Sequence, residues 1–116
     1  MDERVQRVMK QEAALDAVNA QLAELQGALA RWEAMRQTYK ELLAYYESPL
    51  WLEDYDASNR GEFSEIPCGV LSQDAVYDTL TTQFAVAEDA LRIAQAYLAD
   101  RGDEEEEALF GDKDEA

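Results

Sequence analysis

Apolar residues recur along the first third of the chain at alternating steps of three and four. With Val8 at position a of a heptad, the a-sites read Val8, Leu15, Leu22, Leu29, Arg36 and Leu43. The d-sites read Gln11, Val18, Leu25, Trp32, Tyr39 and Tyr46, so ten of the twelve seam positions are apolar. Gly27 is the only weak helix former before Pro49. The pattern therefore predicts one helix over about residues 3 to 46, about 65 Å long, ended by Ser48-Pro49. Its g-sites include Ala14, Ala28, Met35 and Leu42, which widens the apolar stripe beyond a two-stranded seam. Such a face calls for more than one neighbour.

A second helix is expected over about 73 to 100. Ser72 stands where a cap would accept from first-turn amides, Asp74 suits the helix dipole, and Leu71 and Val76 are spaced as a hydrophobic staple. Tyr77, Leu80, Phe84, Ala87, Leu91, Ala94 and Leu98 then follow at three and four, and Gly102 stops the helix. With Val86, Ala90, Ile93 and Tyr97 beside them, the apolar arc spans roughly 200°. One facing helix does not cover that arc.

Between the helices, residues 47 to 71 combine Pro49, Gly61, Pro67 and Gly69 with Trp51, Leu52, Tyr55, Phe63, Ile66, Val70 and Leu71. A connection of this length and apolarity is expected to fold, with a short helical turn at Leu50 to Tyr55 and the whole packed onto the helices. The resulting fold class is all-α: an antiparallel helical hairpin of one long and one medium helix with an aromatic-rich folded linker, completed to a bundle by dimerisation. Residues 1–100 form that domain and residues 101–116 an acidic, disordered tail.

Charge sharpens this picture. The chain of 116 residues carries 26 acids against 10 Lys and Arg, net −16. Residues 3 to 46 are balanced, six against six, whereas 47 to 72 hold six acids against Arg60 alone. Residues 100 to 116 hold nine acids and two bases, including Glu104 to Glu107. Direct nucleic-acid binding is not expected, because a phosphate backbone is gripped by clustered Lys and Arg. A basic protein partner suits the acidity, as does simple solubility.

Candidate chemistry is sparse. The chain has no histidine, which removes Ser-His-Asp and Cys-His catalysis and most zinc sites. Cys68 is a lone cysteine in the run Glu65-Ile66-Pro67-Cys68-Gly69, which offers no neighbouring base or cation to activate it, so it reads as a bystander thiol. Asp54 to Glu65 places oxygens at positions one, three, five, nine and twelve of a calcium loop. However, Asn59 stands where the sharp-turn glycine belongs, and Pro49 and Pro67 interrupt the flanks. Paired carboxylates such as Glu53 and Asp54 read as a solvated face. No catalytic, cofactor or metal residue is assigned. The residues singled out are Trp32, Tyr39, Tyr45, Tyr46, Trp51 and Tyr55, read as an aromatic mini-core clamping linker to helix or, alternatively, as a partner-facing patch. No segment has the length and apolarity of a membrane span or secretory signal, which sets the expectation of a cytoplasmic protein.

The block Tyr45-Tyr46-Glu47-Ser48-Pro49-Leu50-Trp51-Leu52-Glu53-Asp54-Tyr55, followed by Gly69-Val70-Leu71-Ser72-Gln73-Asp74, resembles a family of small bacterial helical proteins defined as a domain of unknown function. The resemblance covers about residues 3 to 98 and leaves out the acidic tail. It implies a fold and no activity, catalytic residue or cofactor. The functional expectation is a non-enzymatic, self-associating interaction or scaffold protein, most simply a dimer. An acidic decoy or inhibitor of a basic, nucleic-acid-binding protein is the alternative, with a calcium-binding protein or small enzyme as the remote one.

Overall fold

The computed structural model describes the backbone of residues 2–115 and the side chains of residues 2–102. Among the described residues the chain is all-helical, without strands, and it divides into two units, Met1–Glu47 and Ser48–Ala116.

The first unit holds α1 (Glu3–Ala34) and α2 (Arg36–Tyr46). Asp2 caps α1 by accepting a 2.9 Å hydrogen bond from the Arg4 amide, and Glu3 in the first turn complements the dipole. The single helix expected over 3 to 46 is thus two helices meeting at Met35. There φ is −81° and ψ is −9°, and the amide is shared between the Arg31 and Trp32 carbonyls, both at 3.1 Å. The shared bond marks a tightening toward 3-10 geometry, and the chain re-enters the helix at once, since the Tyr39 amide bonds the Met35 carbonyl at 2.9 Å. Ala34, Met35 and Arg36 are all good helix formers, so nothing in the local sequence explains the break.

The second unit opens with α3 (Pro49–Asn59), a full helix where only a turn over Leu50 to Tyr55 is expected. Ser48 is extended (φ −90°, ψ 158°) and Pro49 stands in the first helical turn, where its fixed φ and missing N–H favour a start. The same Ser-Pro step that closes α2 therefore opens α3. At its far end the Glu62 amide bonds the Ala57 carbonyl at 3.1 Å and the Gly61 amide bonds Ser58 at 3.0 Å. This Schellman arrangement needs positive φ at Gly61, which has 82°.

A 3-10 turn, Gly69–Leu71, packs against both α3 and α4 (Gln73–Glu115). Ser72 caps α4, its Oγ accepting from the Ala75 amide at 3.2 Å, and the expected staple residues Leu71 and Val76 are both buried. Gly102 (φ 73°, ψ 161°) breaks the helical dihedrals within α4 where a stop is expected, in a region of backbone space kept almost entirely for glycine. The expected disordered tail, 101–116, lies from residue 103 onward outside the residues whose side chains are described.

Buried apolar side chains among the described residues are Trp51, Ala57, Leu71 and Val76, all in the second unit. α1 has none.

Candidate functional site

The aromatic residues divide between the units. Trp32, Tyr39, Tyr45 and Tyr46 are half-buried in the first. In the second, Trp51 and Tyr55 lie one helical turn apart on α3 and stack, with ring centroids 5.2 Å apart and planes inclined by 18°. The Trp51 indole Nε1 donates a 2.9 Å hydrogen bond to the Val70 carbonyl, tying α3 to the 3-10 turn across nineteen residues of sequence. Trp51 is thus committed to the fold. Not all of the linker's apolar residues follow it inward: Tyr55 and Phe63 are half-buried, while Leu50, Leu52 and Ile66 are exposed, contrary to the expectation that the segment packs as a whole.

The calcium-like stretch does not form a loop. Its first six positions, Asp54 to Asn59, belong to α3, which spreads Asp54, Asp56 and Ser58 around a helix instead of turning them inward. At position nine, the Glu62 carboxylate is held by the Arg60 guanidinium at 2.7 Å. Among the described residues no three acids or thiols gather closely enough to hold a metal. Cys68 is half-buried, its thiol directed at the Ile66 and Phe63 carbonyls at 3.4 and 3.6 Å. Those contacts suit a thiol that steadies its own turn.

What the molecule presents outward is apolar helix surface. Along α1, Val8, Leu15, Val18, Leu22, Leu25 and Leu29 are each 46–60% exposed, the same residues that form the heptad seam. On α4, Phe84, Leu91 and Leu98 are 62–70% exposed. Shallow depressions follow these helices, one against Asp2, Arg4, Val5, Val8 and Met9, another against Leu25, Ala28 and Arg31. Each is built by one helix alone; the second also carries Gln21 and Glu24 beside Arg31, but without a second wall neither encloses a ligand as a substrate pocket does.

The sequence model of one family, described as a domain of unknown function (DUF4298), matches residues 8–93. The chain belongs to that family. No curated protein matches the chain, and no solved structure does. The DUF4298 match takes in most of α1, all of α2, α3 and the 3-10 turn, and α4 as far as Ile93. It includes the whole Tyr45 to Asp74 block and ends before Gly102. Among the described residues, no helix of this DUF4298 protein is long and apolar enough to cross a membrane.

Proposed function

We propose that this DUF4298 protein is a non-enzymatic cytoplasmic interaction protein that assembles by self-association, its α1 and α4 forming an antiparallel hairpin that a second copy completes to a bundle. One observation carries the reading: α1 runs 32 residues with a regular apolar seam and buries none of it. Exposed apolar area of that length is costly in water, and single helices gain most of their stability from packing one face. The breadth of the stripe, seam plus Ala14, Ala28, Met35 and Leu42, matches a bundle position with two neighbours better than a two-stranded coil.

Multi-angle light scattering on the full chain, and on a version ending at Asp100, tests the proposal. Dimers in both place association in the helices. A monodisperse monomer across the micromolar range in both overturns it.

A further inference from the structure

Two seam positions between Val8 and Tyr39 are polar, Gln11 at d and Arg36 at a. Both are exposed, and both lie in the first unit. Their placement constrains how a second copy can lie on α1 and α2. In a parallel, in-register pair each a-site meets itself, so Arg36 would face the second copy's Arg36 across the seam. In an antiparallel pair a-sites face d-sites, and the residue numbers of facing partners add to a constant.

Only one such constant joins the two polar positions. When facing residues add to 47, Gln11 meets Arg36, Val8 meets Tyr39, Leu15 meets Trp32, Val18 meets Leu29, and Leu22 meets Leu25. Every other layer from Val8 to Tyr39 is then apolar on both sides, and beyond them Leu43 meets Arg4 at the end of the seam. Slipping by one heptad either way sets Gln11 against Leu29 or Leu43, and Arg36 against Arg4 or Val18, leaving each polar group with an apolar or like-charged neighbour.

We infer that the second copy binds along the α1–α2 seam antiparallel, in the register that pairs Gln11 of each chain with Arg36 of the other. This rests on the self-association proposed above and adds its geometry. A neutral amide oxygen accepts from a guanidinium without a second charge, and one polar layer in an apolar seam is a well-attested way of fixing register and orientation. The pairing places the large rings of Trp32 and Tyr39 over the smaller Leu15 and Val8, so the seam keeps a more even width. It also opposes the helix dipoles. The layers from Val8 to Tyr39 make a strip about 48 Å long and about 12 Å wide, roughly 1,150 Å² over both chains, above the roughly 1,000 Å² that a specific interface needs. The g-site flank, Ala14, Ala28, Met35 and Leu42, stays available for α4.

Gln11→Glu in the full chain decides the register by sign. In the antiparallel pair the new carboxylate meets Arg36 twice per dimer, and the dissociation constant measured by sedimentation is expected to fall roughly tenfold. In a parallel pair the carboxylate would meet its own copy and the constant would rise. A rise, or no change, in a chain that still dimerises overturns the register alone. A monomeric wild type overturns the self-association on which it rests. A spin label at Ala13→Cys in a Cys68→Ser background gives an independent reading. The antiparallel register sets the two labels at least about 30 Å apart, and a separation of roughly 20 Å or less overturns it.

Discussion

Trp51 is the side chain on which the second unit closes. It is 6% exposed, stacks on Tyr55 and bonds the Val70 carbonyl, so one residue links α3 to the 3-10 turn that precedes α4. Trp51→Phe keeps an aromatic ring in the stack but removes the indole donor and leaves the part-buried Val70 carbonyl without it. The variant is expected to lose about 1–3 kcal/mol of stability in urea unfolding followed by helical circular dichroism. An unchanged midpoint would mean that water replaces the indole at no cost. Because Trp51 lies in the second unit and the proposed seam in the first, the folded variant should associate as the wild type does. That separates loss of fold from loss of partner.

At the level of helices, the parts of the sequence that act locally were readable. The α4 cap at Ser72 and the staple of Leu71 and Val76 each depend on a few adjacent residues, and each stands where the pattern places it. Gly102 interrupts the helical dihedrals where a stop is expected, but α4 runs on to Glu115. Pro49 was only half legible: a proline that ends one helix is equally suited to the first turn of the next, and Trp51, Tyr55 and Ala57 on α3 had no periodic run long enough to announce a helix. The Trp51–Val70 bond joins residues nineteen apart and left no local signal. Of the six aromatic residues read as one cluster, the structure brings Trp51 and Tyr55 into contact, because a spacing of four on a helix is enough for that. The break at Met35 has no counterpart in composition. Gly27, by contrast, is a weak point inside α1 that the sequence states openly. A Cβ there would come 3.2 Å from the Arg31 Nη1, the far end of a flexible side chain that can swing aside. Gly27→Ala is therefore expected to stabilise the chain by about 0.5–1 kcal/mol, read as a raised melting temperature. Gly27 sits at position f, away from the a/d seam. A lowered melting temperature would show that a helix packs closely on that side instead, and would count against the seam as the interface.

For the molecule as a whole, charge and apolar seam pull in opposite directions, and their balance can be measured. Each copy carries net −16, so bringing two together costs Coulomb repulsion, although residues 3 to 46, where the seam lies, are balanced at six acids and six bases. The repulsion therefore comes from charges outside that stretch of the chain, and salt screens it: the Debye length falls from about 30 Å at 0.01 M to about 3 Å at 1 M. The hydrophobic contribution is not weakened over that range. Self-association through α1 should accordingly tighten as sodium chloride rises, with the dissociation constant falling several-fold between about 0.02 M and about 0.5 M in sedimentation equilibrium. An acidic decoy that docks on a basic protein predicts the reverse for its complex, since salt screens the attraction that holds it. A self-association that weakens with salt would place the contact between opposite charges, such as Arg4, Arg7 and Lys10 of one copy on an acidic surface of the other, and would remove the apolar seam from the interface.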